Sequence, residues 1–292
     1  MEFLSYFISG LSLGSVYAII ALGYTMVYGI AKMLNFAHGD VIMVGSYIVF
    51  YAVSQFGLPD WLSIIIAVVG CTVLGLVIER FAYRPLRGAA PLAVLITAIG
   101  VSYLLQNLAL LSFGAAPKVF TSVVTLPAVN IGGELTLTGE TIVTIAACIV
   151  IMIVLSLFIN KTKPGRAMLA VSEDRGAAQL MGVNINGTIA LTFAIGSGLA
   201  AIAGVLLCSA YPTLSPYTGA MPGIKAFVAA VFGGIGSIPG AMVGGILLGV
   251  IESLGRAYIS SEMADAIVFL VLVIVLVVKP TGIFGKKINE KV

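Results

Sequence analysis

Charged residues are scarce in this 292-residue chain. It has 15 lysines and arginines and 12 aspartates and glutamates, whereas a soluble chain of this length carries roughly 73 charged residues. Hydrophobic residues make up 60% of the sequence, so a water-soluble fold would lack enough charge to cover its surface. The same composition excludes intrinsic disorder. The net charge of +3 comes from scattered residues, so no nucleic-acid partner is expected.

Residues that hold metals or carry out chemistry are also few. The chain has one histidine and three cysteines, and Cys71, Cys148 and Cys208 lie inside apolar runs without a Cys-x-x-Cys pair. Disulfides and metal sites are therefore not expected, and no cofactor is predicted. The sequence has no Gly-x-x-x-x-Gly-Lys-Ser/Thr phosphate-binding loop, so this polypeptide is not expected to hydrolyse ATP itself. We predict that it is not an enzyme.

Long apolar runs without charge make up most of the sequence, and the longest covers 176–224. A helix needs about 20 mostly apolar residues to cross the hydrocarbon core of a membrane. We predict an all-α polytopic membrane protein with about eight or nine transmembrane helices, because backbone groups in lipid must be satisfied within each helix. The predicted spans are 6–31, 36–56, 61–82, 91–112, 140–160, 188–210, 221–236, 240–258 and 264–279. Gly233–Gly240 forces a break, either as a tight hairpin or as a re-entrant pair.

The basic residues predict which side of the membrane each loop faces. One set of loops holds 12 of them: Lys32, Arg80, Arg84, Arg87, Lys161, Lys163, Arg166, Arg175, Lys279, Lys286, Lys287 and Lys291. The other set holds Lys118 and Arg256, and Lys225 lies in the membrane region. Because basic loops stay in the cytoplasm, the N-terminus is predicted outside and the C-terminus in the cytoplasm.

Residues 1–292 are thus predicted to form a single transmembrane domain with two long loops. The loop 113–140 is extracytoplasmic in this topology and contains either a small hairpin around Gly132–Gly133 or an irregular connector. The loop 161–187 is cytoplasmic and contains the densest charge in the chain.

The cytoplasmic loop is predicted to contain one helix over Arg166–Leu180, which follows Pro164–Gly165 and stops at Gly182. Small and apolar residues fill one broad arc of this helix, and Glu173 and Asp174 fall inside that arc. A helix lying on the bilayer would keep acids away from its buried side. The pattern favours docking into a groove of a protein with basic residues, and a solvated connector is the alternative.

A few polar residues beside the apolar runs are candidates for a solute path. The segment Asn35–Asp40 contains His38, the only histidine, and ends on an acid. Ionisable groups near a membrane are costly and so indicate function, and a plain turn between two spans is the alternative. Lys225 is the only charge between 176 and 251, and it either reaches an interface from the end of a span or faces the bundle interior.

Glycines at every fourth position follow Lys225. They are Gly236, Gly240 and Gly244, with Gly245 and Gly249 repeating the spacing one residue later. This spacing permits close contact between helices. Tight packing within the subunit is the simpler interpretation, and a gating hinge or a sliding contact during transport is the alternative.

Three separate motifs resemble those of one transporter family. They are Gly23–Gly29 with Leu34–Asp40, then Gly165–Met168 with Ser172–Asp174 and Ala177–Asn184, and finally Lys225–Phe227 with Gly233–Gly245. Together they resemble the permeases of ATP-binding-cassette importers, and most closely the branched-chain amino acid permeases of the LivH type. The resemblance runs from about residue 5 to residue 285.

The resemblance implies an importer permease fold in a bacterial plasma membrane. It also implies a second permease subunit in a heterodimer, two cytoplasmic ATPase subunits and an extracytoplasmic solute-binding protein. The resemblance maps the glutamate of the family's coupling loop onto Glu173 and its glycine onto Gly182. Arg166, Asp174 and Arg175 in the same loop are also predicted to couple to the ATPase. The residues expected along the substrate path are Asn35, His38, Gly39, Asp40, Lys225, Gly234 and Gly236.

Two other functions remain open at this point. An importer of the same class for urea or short-chain amides is one, because that branch is similar around Asn35–Gly39. A secondary transporter or channel that works alone is the other. It would be favoured by inverted repeats and several buried ionisable groups, and the sequence shows no clear inverted repeat.

Overall fold

The computed structural model describes residues 2–131 and 135–285. The helices are α1 (Glu2–Ala31), α2 (His38–Ser54), α3 (Asp60–Ile78), α4 (Pro91–Phe113), α5 (Gly139–Lys161), α6 (Lys163–Glu173), α7 (Arg175–Leu180), α8 (Ile185–Ala210), α9 (Ala220–Gly233), α10 (Ile238–Tyr258) and α11 (Ala264–Val278). A π-helical turn at Glu79–Tyr83 and a 3-10 turn at Arg84–Leu86 extend α3. The predicted all-α polytopic architecture is confirmed, because each predicted span coincides with one apolar helix.

The described residues include six helices that are long and apolar enough to cross a membrane. The shorter apolar helices are α2, α9 and α11. Helix α9 has 14 residues and so is about 21 Å long, less than the roughly 30 Å of a bilayer core. The predicted break at Gly233–Gly240 is a turn between α9 and α10.

The middle of α1 forms the core of the bundle, since every residue from Ser12 to Val27 is buried. Its most extensive contact is with α10. A Cβ added to Gly249 would lie 2.2 Å from the backbone nitrogen of Gly14, and one added to Gly245 would lie 2.4 Å from Ala18 Cα. The glycine spacing on α10 therefore brings two backbones together, which confirms the tight-packing interpretation.

Short strands mark one end of the bundle, which we call the strand end. They are β1 (Lys118–Val119), β2 (Val129–Ile131), β3 (Leu135–Leu137) and β4 (Thr213–Leu214). Strand β1 pairs antiparallel with β4 and so ties the long loop after α4 to the segment after α8. Strands β2 and β3 pair antiparallel, which confirms the predicted hairpin. Its predicted turn, Gly132–Gly133, lies outside the described residues.

Two arginines mark the opposite end, which we call the α7 end. The guanidinium of Arg175 donates a hydrogen bond to the carbonyl of Ala31, and that of Arg87 donates to the side-chain oxygen of Asn186. The connections that follow α1, α3 and α5 thus meet at this end. Lys286, Lys287 and Lys291, which were counted toward the cytoplasmic side, lie outside the described residues.

The predicted single helix Arg166–Leu180 is wrong, because the structure divides it into α6 and α7. Between them Asp174 has an extended backbone, with φ −151° and ψ 114°. Its carboxylate accepts a hydrogen bond of 3.0 Å from the backbone N–H of Ala177. Aspartate competes for the free N–H groups at a helix start, so Asp174 ends one helix and caps the next.

The predicted placement of two acids in the apolar arc is also wrong. Met168, Val171 and Ala178 are buried, whereas Glu173 and Asp174 are exposed. The break at Asp174 changes the direction of the chain, so a single helical wheel does not describe both halves. Both carboxylates are available to solvent or to a partner.

Candidate functional site

The connection between α1 and α2 turns back into the bundle. After Ala31, Lys32 adopts a left-handed backbone with φ 53°. The chain then returns to the middle of α1, since a Cβ added to Gly23 would lie 2.5 Å from His38 Nε2. Gly23 precedes Ala31 by about two turns, or about 12 Å of helix. Helix α2 therefore begins inside the bundle.

Asn35 holds the returning segment in place. Its side-chain oxygen accepts a hydrogen bond of 3.0 Å from the hydroxyl of Tyr83, and both residues are buried. Tyr83 ends the π-helical turn after α3, in which Glu79 is ion-paired with Arg87. π turns recur at functional sites, because the extra residue redirects the side chains around it. Sequence reasoning missed Tyr83, which is 48 residues from its partner.

The first turns of α2 and α9 meet at three glycines, which we call the helix junction (Gly39, Gly219, Gly223). A Cβ added to Gly219 would lie 1.7 Å from the carbonyl oxygen of Gly39, and one added to Gly223 would lie 2.8 Å from Gly39 Cα. The two backbones are therefore in direct contact, and only glycine, which has no Cβ, fits at these positions. Because the N-terminus of a helix carries partial positive charge, the helix junction brings two such ends together in the protein interior.

Aromatic rings surround the helix junction. The Tyr24 ring lies 4.6 Å from that of His38, and Phe227 lies 5.8 Å from Tyr24 and 5.5 Å from Phe36. His38 is 1% exposed. Its Nε2 has no hydrogen-bond partner among the described residues. A buried polar atom without a partner is costly, so this nitrogen is a candidate contact for a polar ligand group.

Asp40 connects α2 to α4. Its carboxylate accepts a hydrogen bond of 2.8 Å from the side-chain amide of Gln106, whose nitrogen also lies 3.4 Å from the hydroxyl of Ser102. Asp40 is buried, whereas most of the α4 surface is not. The amide therefore supplies a polar contact that fixes a loosely packed helix beside the helix junction.

Replacing Gln106 by leucine should lower the free energy of unfolding by about 1.5–3 kcal/mol, because a buried carboxylate loses its donor. Thermal unfolding of the purified protein measures the change. Asn107→Leu is the matched control, since the Asn107 amide is exposed and donates only to the carbonyl of Tyr103 on its own helix. Equal melting temperatures for the two variants would show that the Asp40 contact contributes nothing.

Lys225 belongs to a separate cluster of buried charges. Its Nζ lies 2.8 Å from Glu252 Oε1 and 2.6 Å from Asp265 Oδ1. Glu252 is fully buried, and its second oxygen accepts a hydrogen bond of 2.9 Å from the hydroxyl of Tyr17. Arg256 also pairs with Glu252, which lies four residues earlier on the same helix. We call these five residues the ion cluster; it joins α1, α9, α10 and α11.

The contacts of the ion cluster show which way the Lys225 side chain points. Its side chain is 4% exposed, so it faces the bundle interior. Its partners on α10 and α11 could not be predicted from the sequence. Glu252 lies 27 residues away, and the sequence spacing indicates only its pairing with Arg256. None of the described contacts joins Lys225 to His38 or Asp40.

Gly234 and Gly236 form the turn between α9 and α10. Their φ angles are 105° and 94°, a left-handed backbone that glycine adopts without strain. Gly236 lies against Gly29 near the end of α1, and Gly234 lies against Gly285. The structure thus places both glycines at the α7 end, away from the helix junction.

The residues predicted to couple to an ATPase all lie on or beside α6 and α7. Arg166, Glu173 and Asp174 are exposed, and Gly182 ends the segment with φ 82°. Arg175 is the member that reaches the bundle, through its hydrogen bond to Ala31. One large apolar pair is also exposed here, with Leu180 at 90% and Met181 at 84%.

This geometry is suited to moving a solute. Two shortened helices meet end to end inside a polytopic bundle, with an unpaired imidazole nitrogen beside them. Within the described ranges no group of three His, Cys, Asp or Glu side chains is placed to hold a metal ion. Discontinuous helices of this kind are typical of membrane transport proteins, because their ends offer dipoles to a polar solute.

Comparison with known proteins gives the particular family. A family model described as the permease component of the branched-chain amino acid transport system matches residues 6–276. The chain belongs to this family, which confirms the resemblance seen in its motifs. It is 46% identical to the high-affinity branched-chain amino acid transport system permease protein LivH of Salmonella typhimurium, over 100% of this chain and 98% of the relative. It is 45% identical, with the same coverage, to the permease protein BraD of Pseudomonas aeruginosa.

A solved structure agrees with the fold. The chain is similar to PsaBC from Streptococcus pneumoniae, which was solved in complex with Fab. The TM-score is 0.51 and the sequence identity is 14%, over 96% of this chain and 93% of the other. The two proteins thus share an architecture, and the predicted permease fold is confirmed.

Proposed function

We propose that this chain is one permease subunit of an ATP-binding-cassette importer for branched-chain amino acids. The family match and the named transport systems of its relatives support the substrate class. In this proposal a solute-binding protein delivers the amino acid outside, two cytoplasmic ATPase subunits supply the energy, and a second, different permease completes the path. The protein lies in the bacterial plasma membrane with its N-terminus outside, an orientation that the distribution of basic residues supports.

The exposed surface of α6 and α7 is the observation that carries the ATP-driven part of this proposal. Leu180 and Met181 lie beside exposed charges at the α7 end. Apolar side chains rimmed by charges suit a groove on another protein better than bulk water. Through Arg175, a displacement of this surface would pull on the end of α1 and on the connection to α2.

The helix junction is the proposed site where the solute passes. An amino acid carries a carboxylate, and the converging helix ends offer partial positive charge to it. We propose that Asn35, His38, Gly39 and Asp40 line this part of the path. Lys225, Gly234 and Gly236 would shape the path, the lysine through the ion cluster and the glycines through the turn after α9.

Leucine uptake into vesicles that hold the complete transporter tests the proposal. Reversing two exposed charges with Glu173→Lys and Asp174→Lys should lower ATP-dependent uptake by at least about tenfold, because misplaced like charges at an interface cost on the order of a kilocalorie per mole or more. The ATPase subunits should also separate from the variant during purification. Glu262→Lys is the control, since it reverses one charge on an exposed residue at the strand end.

Two outcomes would contradict the proposal. Uptake by this chain alone, without ATPase subunits or ATP, would indicate a secondary transporter or channel. ATP-dependent uptake of urea or an amide with no uptake of leucine would support the importer class and contradict the proposed branched-chain amino acid substrate.

A further inference from the structure

A cavity of about 450 Å³ lies at the α7 end, beside the connection between α1 and α2. Its walls come from the end of α1, the 3-10 turn after α3, the start of α4 and the start of α7. Three basic residues and several apolar side chains line it: Lys32, Arg87, Arg175, Leu86, Val94 and Leu95. The proposed transport cycle assigns no ligand to this cavity.

Two of its three cations have no acidic partner among the described residues. Arg87 is ion-paired with Glu79, so its charge is largely compensated. Arg175 uses one guanidinium nitrogen to donate to the carbonyl of Ala31, and no acid in the described ranges lies within ion-pair distance of it. Lys32 is exposed and likewise forms no ion pair there. The rim of the cavity therefore carries uncompensated positive charge.

The apolar wall of the cavity continues onto an exposed apolar surface of α4. Val94 and Leu95 belong to the first turns of α4, and their neighbours Leu92 and Ile96 are 65% and 60% exposed. Only a small share of α4 is buried in the bundle. A hydrocarbon chain can thus lie partly in the cavity and partly in the bilayer, with a charged group at the basic rim.

We propose that this cavity binds an anionic phospholipid. The headgroup phosphate contacts Lys32 and Arg175, and an acyl chain lies along Leu86, Val94 and Leu95. Basic pockets between transmembrane helices at the membrane surface are suited to such headgroups. Free phosphate shares the charge chemistry and gains nothing from the apolar wall. The bound lipid joins the α1–α2 connection to α7, so it strengthens the link between the exposed loop and the helix junction.

Native mass spectrometry of the purified full-length protein tests this binding, with phosphatidylglycerol and phosphatidylcholine as the two probes. The wild type should retain phosphatidylglycerol preferentially. Lys32→Asn and Arg175→Gln should each weaken its binding about fivefold, the effect of one basic charge near a membrane surface. Asparagine tolerates the left-handed backbone of Lys32, so that variant keeps the local fold even if Arg175→Gln disturbs α7.

Lys161→Gln and Arg166→Gln are matched controls, because both remove an exposed charge near the same end and line no part of the cavity. Both should bind phosphatidylglycerol as the wild type does, and Lys32→Arg should restore binding. Equal retention of the two lipids, or equal losses in the control variants, would overturn the proposal. Displacement of phosphatidylglycerol by inorganic phosphate at equal concentration would also overturn it and indicate a free-phosphate site.

Discussion

Replacing Glu252 by alanine should destabilise the protein by about 3–5 kcal/mol, the usual cost of breaking a buried ion pair by removing one partner. The carboxylate accepts from three donors at once, namely Lys225, Arg256 and the hydroxyl of Tyr17. Without it, the tyrosine hydroxyl loses its partner and Lys225 keeps only Asp265. The ion cluster then carries one net positive charge, and four helices lose their common contact.

A thiol-reactive dye can follow the unfolding of this variant. Cys71, Cys148 and Cys208 are free and buried, so they react only when the bundle opens. The control is Glu262→Ala, which removes an exposed carboxylate. A melting temperature for Glu252→Ala equal to that of the control would show that the ion cluster does not hold the helices together.

The double variant Lys225→Met with Glu252→Gln separates charge from shape. It removes both buried charges and leaves a side-chain oxygen for Tyr17, so most of the lost stability should return. Arg256 and Asp265 are each about two-fifths exposed, so water can solvate their charges when Lys225 and Glu252 no longer pair with them. A double variant that is as unstable as Glu252→Ala would mean that the loss comes from packing and not from the unpaired charge.

Replacing Gly219 by alanine should abolish uptake and lower the free energy of unfolding by about 3 kcal/mol or more, at the upper end for an overpacked core. The added Cβ would lie 1.7 Å from the carbonyl oxygen of Gly39, so the helix junction must open. The φ of Gly219 is −86°, which any residue adopts, so the cost is steric alone. Leucine uptake and thermal unfolding of the same preparation measure the two effects.

Gly100→Ala is the matched control for this change. Gly100 lies in α4, and a Cβ added there meets no atom within 4 Å. Alanine should therefore be neutral, or stabilise α4 by about 0.5–1 kcal/mol through its higher helix propensity. If Gly219→Ala transports and melts as Gly100→Ala does, the close contact between α2 and α9 has no role in the folded protein.

Most of the helical architecture could be predicted from the sequence, because apolar runs and charged loops alternate so clearly. Helix α5 was predicted over 140–160 and spans Gly139–Lys161. The break between α6 and α7 was not predicted, since good helix formers flank Asp174 on both sides. The sequence feature that indicated the break was Asp174 itself, because aspartate favours the start of a helix over its interior.

The candidate site was predicted in part. The segment Asn35–Asp40 could be selected because polar residues are rare beside apolar runs. Its partners Tyr83 and Gln106 could not, because hydrogen bonds between distant helices leave no periodic trace in one sequence. Gly219 was missed for the same reason: its importance comes from the backbone of Gly39, which reaches it only after the bundle has formed.

The contact between α1 and α10 sets an order on the synthesis of the protein. Helix α1 carries Gly10 and Gly14, whose close partners on α10 are synthesised only after the eight helices between them. The backbone N–H groups of residues 283 and 284 donate hydrogen bonds to the last carbonyls of α9. The C-terminal end of α9 therefore also depends on residues that are synthesised later. The nascent chain must therefore keep α1 in the membrane without its main partner until α10 has been inserted.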